Sequence, residues 1–432
     1  MQIRVFKFGG ASLNSAAGIT NVAAILKKQS GSPLLLVVSA LGKTTNSLEK
    51  VLNHYMDNDP VAMIEAFREV HDFHFHILEQ LFADKTHFVF KEVESLFNQL
   101  RGYLRKGHLY AKTRPGYDFE YDQIVSYGEL ISAAIVNQFL IDSNLNCRLF
   151  DARELIFTDR IYRDARVDWL KTGVAVRKKI LPFFRKKHLK SPVAITQGFI
   201  AADSEKNTTT LGREGSDFSA AIFAYCLKTS EMTIWKDVPG VLNADPKWFK
   251  NPKKLSSLSY REAIELAYYG ASIIHPKTIK PLENANITLH VKNFLDPGRP
   301  GTTIKHFDAW KIACPIYIRK PQQMLISLSP RDFSFIVEEN LSQIFKIMAR
   351  HQVKANLMQN SAISFSVCVD HDPKKLPGLL ETLHETYEIR YNEGVELFTI
   401  RHYTAPAIKL ITANREILME QKSRNTMQIV VR

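Results

Sequence analysis

The sequence predicts an α/β protein with a mainly parallel sheet, followed by a smaller α+β module. Residues 3–42 alternate strand, helix, strand and loop patterns, which is the rhythm of a βαβ unit. The run Leu34–Val38 is apolar throughout, as is typical of a parallel strand covered on both faces. Beyond residues 297–301, which contain two prolines and two glycines, short strands and two helices replace this pattern.

The periodicity of apolar residues gives the order of the elements before this boundary. Predicted strands cover residues 3–8, 34–38, 192–201 and 231–235, and predicted helices cover residues 15–29, most of 44–110, 119–142, 218–227, 259–269 and 276–284. After the boundary, the pattern predicts strands at 323–328 and 363–369 and helices at 338–350 and 374–386. We therefore expect one domain at residues 1–304 and a second at residues 305–432.

The composition narrows the class of protein. The chain has 432 residues, of which 45% are hydrophobic and 23% charged, as in a globular protein with a large core. Its net charge of +13 favours anionic partners, but the basic residues lack the aromatic interleaving of a nucleic-acid surface. No apolar run approaches the roughly 20 residues of a membrane span. The four cysteines show no CxxC spacing, so we expect free thiols and a cytoplasmic location. From the pattern of basic residues and the shortness of the apolar runs, we expect neither nucleic acid nor membrane as partner.

The first candidate for chemistry is Lys7-Phe8-Gly9-Gly10, which follows the first predicted strand. Open α/β sheets bind ligands at the carboxyl ends of their strands. Two glycines let backbone N–H groups approach a phosphate, and a lysine there would neutralise charge on a transferring phosphoryl group. A simple turn with a solvated lysine has the same local sequence, so the motif alone leaves both interpretations open.

The second candidate is Gly212–Asp217, which lies just before the predicted helix 218–227. The N-terminus of a helix attracts anions through its free N–H groups and its dipole. Arg213 could hold a carboxylate with two hydrogen bonds, and Asp217 could favour the dipole, orient Lys7 or engage Mg²⁺. The Pro-Gly turn in Trp235–Val241 could cradle a base or ribose, although an ordinary strand-to-loop transition has the same pattern.

In this order, the motifs resemble those of aspartate kinases, which belong to the amino-acid kinase family. The matching segments span residues 3–304 and are Lys7–Ser12, Val38–Ala40 with Thr45-Asn46, Ser126–Glu129, Gln197–Ile200, Gly212–Asp217, Trp235–Gly240, Tyr269–Ala271 with His275-Pro276, and Gly301-Thr302. The resemblance implies the amino-acid kinase fold, a mainly parallel sheet sandwiched by helices. It also implies an enzyme that transfers the γ-phosphoryl group of ATP, bound with Mg²⁺, to the β-carboxylate of L-aspartate. The product, 4-phospho-L-aspartate, begins lysine, threonine and methionine synthesis.

The resemblance implies roles for individual residues. Lys7 and Asp217 would be catalytic, with Lys7 stabilising the phosphoryl group and Asp217 organising that lysine. Aspartate would be held by Thr45, by Glu129 at its ammonium and by Arg213 at a carboxylate. The nucleotide would be bound by Lys7, Gly9, Gly10, Lys236, Asp237, Leu242 and Lys247. No protein residue is assigned to a metal, because Mg²⁺ prefers phosphates and water to protein cages.

Three positions depart from the family pattern. Ala11 stands where relatives usually carry Thr, which affects a local hydrogen bond. Glu214 stands where many carry Gly, and a carboxylate beside Arg213 would weaken anion binding or point to solvent. Ser272 stands where many carry a lysine that touches nucleotide phosphate, so its presence bears on the strength of ATP binding.

Residues 306–432 resemble the paired ACT modules of monofunctional aspartate kinases, so we expect an α+β, ACT-like regulatory domain. The second module looks shortened, because a final helix is missing after the last predicted strand. Such modules bind end-product amino acids and pair across subunits, which implies lysine or threonine as effector and a homo-oligomer. Two other functions remain open: the same fold acting on another acceptor, or a non-catalytic amino-acid sensor.

Overall fold

The computed structural model describes residues 2–29, 31–109, 115–271, 274–307, 312, 314–332 and 334–432. The chain forms two compact units. The first comprises Met1–Val241, Lys254–Ile264 and Ile273–Asp308, and the second comprises Leu242–Lys253, Glu265–Ser272 and Ala309–Arg432. Two segments that precede residue 304 therefore belong to the second unit, so the units are not separated at one point of the chain.

The first unit is built on an eight-stranded sheet. Its strands are β1 (Arg4–Phe8), β2 (Leu34–Val38), β3 (Cys147–Phe150), β4 (Val193–Gln197), β7 (Glu231–Lys236), β8 (Ser257–Ser259), β9 (Thr288–Asn293) and β10 (Thr302–Lys305), with β5 (Ile200–Ala202) and β6 (Thr208–Thr210) forming a separate hairpin. The order in the sheet is β3-β4-β2-β1-β7-β9-β10-β8, and every pair is parallel except β9 with β10. This confirms the predicted mainly parallel sheet.

Helices pack against both faces of this sheet. The helices of the first unit are α1 (Ala16–Lys28), α2 (Thr44–Met56), α3 (Pro60–Leu81), α4 (Phe88–Leu109), α5 (Tyr117–Val125), α6 (Tyr127–Asp142), α7 (Trp169–Phe184), α8 (Gly215–Leu227) and α10 (Pro276–Asn284). Helix α9 (Tyr260–Tyr269) begins in the first unit, and its residues from Glu265 belong to the second. Every residue of β2 and β4 is buried, which requires cover on each side. Helices α6 and α8, each buried along most of its length, both contact β2.

One helical stretch of the first unit has the length and apolar composition of a membrane span. Among the described residues, Tyr117–Asp142 passes this test, but 78% of its most apolar window is buried inside the folded chain. Core helices of soluble proteins pass the same test, so the stretch is weak evidence for a membrane span.

The register of the central strands brings the motifs together. Phe8 of β1 lies beside Val38 of β2 on one side and beside Trp235 of β7 on the other, and Val38 lies beside Gln197 of β4. Because all four strands run in the same direction, the loops that follow them emerge at one edge of the sheet. This is the edge at which open α/β sheets bind ligands.

In its described residues from 314 onward, the second unit has an antiparallel six-stranded sheet with three helices. Its elements are β11 (Ile316–Pro330), α11 (Glu338–Arg350), β12 (Ala355–Asn360), β13 (Phe365–Asp370), α12 (Leu376–His384), β14 (Tyr387–Arg401), α13 (Ala405–Thr412), β15 (Ile417–Lys422) and β16 (Thr426–Val431). The order is β12-β13-β11-β14-β16-β15. The predicted α+β character of the second domain is confirmed. The chain as a whole has a mixed α/β fold with an added antiparallel domain.

The six-stranded sheet has two halves that share β11 and β14. Residues 323–330 of β11 pair with the first part of β14, and this half carries α11 and α12. Residues 316–320 pair with the last part of β14, and among the described helices only α13 packs there. The rest of that apolar surface is covered by Trp248 and Phe249, whose rings lie 5.6 Å from Phe398 and 4.8 Å from Tyr317.

Some predicted elements differ from the observed ones. The predicted strand 192–201 is two strands, because Phe199 between them has a left-handed backbone with φ of 68°. The predicted helix 119–142 is two helices that meet at Ser126. The helix predicted at 218–227 begins three residues earlier, at Gly215, so Asp217 lies in its first turn. The predicted strand 323–328 lies in the second half of a strand of 15 residues.

Candidate active site

A cavity of about 530 Å³ opens at the carboxyl-terminal edge of the eight-stranded sheet. We call it the catalytic cavity. It is lined by Lys7, Gly10, Ser39, Ala40, Gly42, Thr45, Tyr121, Glu129, Arg163, Phe199, Gly212, Arg213, Glu214, Gly215, Ser216, Asp217 and Lys236. The structure thus brings together seven of the residues predicted from the motifs, which lie as far as 229 positions apart in the chain.

Two lysines converge on Asp217 at the floor of this cavity. The Lys7 ammonium lies 2.6 Å from one Asp217 oxygen, and the Lys236 ammonium lies 3.7 Å from the other. Burial alone would raise the pKa of Asp217, but the charges of Lys7 and Lys236 outweigh it and lower that pKa. Asp217 is therefore an anion that fixes Lys7, which is only 9% exposed, at the end of β1.

The glycines after Lys7 make room for this arrangement. A Cβ at Gly9 would lie 3.2 Å from the Lys7 ammonium nitrogen, and a Cβ at Gly10 would lie 2.5 Å from the carbonyl oxygen of Gly42. Any side chain at Gly10 would therefore push apart the loops that follow β1 and β2. These loops are tied by a hydrogen bond of 3.0 Å from the Gly42 N–H to the Gly10 carbonyl.

A second carboxylate in the cavity has an oxygen without a partner. Glu129 lies in the first turn of α6 and is 2% exposed, and its Oε2 is buried with no hydrogen-bond partner. Burial raises the pKa of Glu129 to about 8, although backbone N–H groups of Glu129 and Ala40 partly offset it. A buried carboxylate of this kind needs a cation or a donor, and the open cavity is where a ligand would supply one.

Arg213 and Glu214 form the rim at the start of α8. The Arg213 side chain is exposed, while Glu214 is half-buried with one oxygen enclosed and unpartnered. Glu214 has a left-handed backbone, with φ of 54° and ψ of 29°. This conformation suits glycine, the residue that many members of the family it resembles carry at this position.

We expect Glu214→Gly to stabilise the folded protein by about 1 kcal/mol, because glycine adopts this backbone without steric cost. Lys228→Gly is the matched control, since Lys228 ends the same helix with φ of 54° as well. Urea unfolding of both variants would measure the effect. A larger gain in the free energy of unfolding for Glu214→Gly than for Lys228→Gly would assign the difference to the enclosed carboxylate of Glu214. A loss of stability in Glu214→Gly would contradict the prediction.

Four of the predicted site residues do not line the catalytic cavity. Gly9 lies behind Lys7, and Asp237 is exposed on the loop after β7. Leu242 and Lys247 belong to the second unit, where their neighbours Trp248 and Phe249 are packed. Their proposed contacts with nucleotide remain predictions. Ser272, the third departure from the family pattern, lies outside the described residues.

The motifs did not identify two side chains of the cavity wall, those of Tyr121 and Arg163. The Arg163 guanidinium lies 4.5 Å from the centre of the Tyr121 ring. The Arg163 N–H is held by the fully buried carboxylate of Asp122, at 3.1 and 3.2 Å, and Asp122 also accepts from Thr210. The segment around Arg163 carries no motif, and the only signal was that Tyr121 precedes Glu129 in the predicted helix 119–142.

The residues at this edge fit a nucleotide and its cation. Lys7, Lys236 and Arg213 supply positive charge, and Gly10 lets the backbone approach a phosphate. Asp217 is occupied by the two lysines, and the described residues contain no group of three or more side chains able to hold a metal ion. A divalent cation would therefore be bound chiefly through the phosphates.

The geometry defines a cavity rich in charged side chains at the carboxyl-terminal edge of an α/β sheet, and comparison with known proteins gives its family. The model of the amino acid kinase family matches residues 2–293. This chain belongs to the amino acid kinase family.

The relatives include several aspartokinases. The chain is 28% identical to lysine-sensitive aspartokinase 3 of Escherichia coli over 92% of its own length and 87% of that protein. It is 30% identical to the chloroplastic aspartokinase 2 of Arabidopsis thaliana, with coverage of 88% and 69%. It is 33% identical to a maize bifunctional aspartokinase/homoserine dehydrogenase, but spans only 32% of that protein.

A solved structure agrees with these matches. The crystal structure of E. coli aspartokinase III in complex with aspartate and ADP has a TM-score of 0.81 and 25% identity, covering 100% of this chain and 96% of that one. The resemblance to aspartate kinases and the amino-acid kinase fold predicted from the motifs are therefore confirmed.

Proposed function

We propose that this chain is an aspartate kinase, which transfers the γ-phosphoryl group of ATP to the β-carboxylate of L-aspartate. The observation that carries the proposal is the Glu129 carboxylate, buried with an unpartnered oxygen in the same cavity as the Lys7–Asp217 pair. A carboxylate of this kind fits the ammonium group of an amino acid. The aspartate bound in aspartokinase III and the names of the relatives supply the identity of that amino acid.

The residues divide the work between binding and charge neutralisation. Glu129 binds the ammonium of aspartate, Arg213 binds a carboxylate, and Thr45 lines the wall beside them. Lys7 neutralises the charge on the phosphoryl group as it moves, and Asp217 keeps the Lys7 ammonium in place. The substrate carboxylate is already a nucleophile, so in-line transfer needs positioning and charge neutralisation but no general base.

We assign the binding of the nucleotide to Lys236, Gly9, Gly10 and Asp237. Mg²⁺ bound to the phosphates of ATP would supply further positive charge there. The Gly10 backbone lies within the cavity, and Lys236 reaches it from the end of β7. Leu242 and Lys247 are proposed as further contacts of the nucleotide on the basis of the motifs alone.

Regulation by an end-product amino acid is the second part of the proposal. The related aspartokinase III has been solved in complex with lysine and aspartate, and the E. coli relative is named lysine-sensitive. The antiparallel sheet with α11 and α12 supports an ACT-like regulatory unit at residues 305–432 in this chain. We propose lysine or threonine as the effector, and a homo-oligomer formed through these modules.

The direct test is ATP turnover by the purified chain with aspartate, measured as ADP release. Glutamate, N-acetylglutamate and UMP serve as competing acceptors, and lysine and threonine are added separately as effectors. We expect turnover with aspartate alone among the acceptors. A preference for another acceptor would replace the proposed substrate, and absence of ATP turnover with all four would favour a non-catalytic sensor.

Aspartate binding at pH 7 is expected to release about one proton, because Glu129 with a pKa of about 8 is protonated before the ammonium arrives. The affinity for aspartate should therefore rise with pH up to about 8 and then level off. Titration calorimetry in two buffers with different heats of ionisation would measure the release. Identical binding heats in both buffers would show that Glu129 is already ionised in the free protein.

A further inference from the structure

A second cavity, of about 470 Å³, lies in the first unit and shares no lining residue with the catalytic cavity. We call it the helical cavity, because it is lined by residues of α7, α8, α10 and the segment before α7. It is lined by Asp164, Ala165, Arg166, Val167, Trp169, Phe218, Tyr225, Lys277, Lys280, Pro281 and Asn284. Its volume is within the range of small-molecule sites, about 300–1,000 Å³.

Aromatic rings form the apolar part of this cavity. The ring of Trp169 lies edge-on to Phe218 at 6.3 Å and to Tyr225 at 5.2 Å, between centroids. Trp169 remains 37% exposed and Tyr225 40% exposed, although both are large apolar side chains. Edge-to-face stacking is the arrangement in which aromatic rings attract one another, and a flat apolar body could add to it here.

The polar part of the helical cavity is mainly cationic. Lys277 is paired with Asp164, while Arg166 and Lys280 are exposed and have no carboxylate within ion-pair distance among the described residues. Two cations beside an aromatic surface complement a flat apolar molecule with an anionic group. A volume of about 470 Å³ is that of a small-molecule site, so the chemistry points to an aromatic carboxylate.

The helical cavity and the catalytic cavity share two walls. On α8, Asp217 faces the catalytic cavity and the next residue, Phe218, faces the helical cavity. In the loop before α7, Arg163 lines the catalytic cavity and the next residue, Asp164, lines the helical cavity. A movement of either wall would therefore change the shape of both cavities.

A close contact strengthens this connection. Gly212 has φ of 80°, and a Cβ built on it would lie 2.3 Å from the Asp164 Oδ1. The backbone just before Arg213 thus rests directly against the carboxylate that pairs with Lys277. An anion that competes for Lys277 would release Asp164 from that pair and change its contact with the loop that carries Arg213.

We propose that the helical cavity binds a small aromatic carboxylate and that its occupancy changes the affinity of the catalytic cavity for the amino-acid substrate. The binding half stands on the helical cavity alone, whereas the coupling half rests on the proposed function. The affected quantity is the KM for aspartate, because Arg213 and Arg163 lie on the shared walls.

The binding test uses indole-3-acetate as the probe, with the full chain and titration calorimetry. We expect one saturable site, weakened about tenfold by Lys280→Glu and also by Trp169→Ala. Arg68→Glu is the matched control, because Arg68 lines another apolar cavity, between α3 and α4, that also contains arginines. Equal binding by the native chain and Lys280→Glu, or loss of binding in Arg68→Glu instead, would overturn the proposed site.

The coupling test measures the KM for aspartate with and without saturating indole-3-acetate. We expect a change of at least about twofold in the native chain and in Arg68→Glu, and none in Lys280→Glu, whose exposed side chain does not line the catalytic cavity. Saturated binding without a change in KM would overturn the coupling. Absence of turnover with aspartate in every sample would count against the proposed function, while the calorimetry would still decide the site.

Discussion

Replacing Lys7 with alanine is expected to lower the turnover number for aspartate phosphorylation by a factor of about 10²–10³, the usual loss on removing one charge-stabilising donor. Lys7 is held 2.6 Å from Asp217 at the end of β1, so its ammonium is fixed before the substrates arrive. Steady-state ADP release at saturating aspartate and ATP would measure the effect.

The control is Lys50→Ala, on an exposed position of α2, which should change turnover by less than about twofold. Calorimetry should show that Lys7→Ala still binds aspartate, because Glu129 and Arg213 remain. An ADP-release rate equal to that of the native chain would remove Lys7 from the mechanism.

Replacing Glu129 with glutamine is expected to raise the KM for aspartate by roughly 10²-fold, since a buried charge pair with the ammonium would be lost. The KM for ATP should change little. Glutamine has nearly the shape of the protonated carboxyl group, so the variant should fold. Glu120→Gln is the matched control, because Glu120 is another buried carboxylate of the same region but does not line the catalytic cavity. An unchanged KM for aspartate in Glu129→Gln would contradict the assigned role.

Although Glu129→Gln should weaken aspartate binding, we expect it to raise the stability of the folded protein. The pKa of Glu129 is raised from 4.5 to about 8 by burial, so the folded state holds this proton more tightly than the unfolded state. Below pH 4.5 the residue is protonated in both states and contributes nothing to the difference. Between pH 4.5 and 8 the unfolded chain ionises first, and the native protein loses stability as pH rises. The melting temperature of Glu129→Gln, measured without substrate, should therefore rise relative to that of the native chain as the pH increases from 4.5 to 8.

The positions of Lys7 and Asp217 could be predicted from the sequence because they depend on local rules. Lys7 ends an apolar strand and Asp217 begins a helix, and parallel strands deliver such termini to one edge of the sheet. Glu129 was recognisable only as part of a motif. Its unpartnered oxygen and its pKa of about 8 depend on burial by the surrounding fold, which no local pattern reports.

Other features depended on contacts that are distant in sequence. Arg163 is placed by Asp122 and Thr210, which lie 41 and 47 positions away in the chain, so nothing near Arg163 identified it. The two strands around Phe199 were predicted as one, because a left-handed backbone at a phenylalanine has no sequence signal. The length of β11 was underestimated because its bulge near Gln322, where φ is 52°, interrupts the alternating pattern.

The way β11 and β14 extend across the six-stranded sheet has a practical consequence for dissecting the protein. Each strand lies in one half of the sheet along its first part and in the other half along its second part, so that β11 pairs with β13 in one half and β14 with β16 in the other. Neither half owns a complete set of strands, so a shortened chain that ends before Tyr387 leaves both without a central neighbour. We therefore expect the two halves to fold and unfold together.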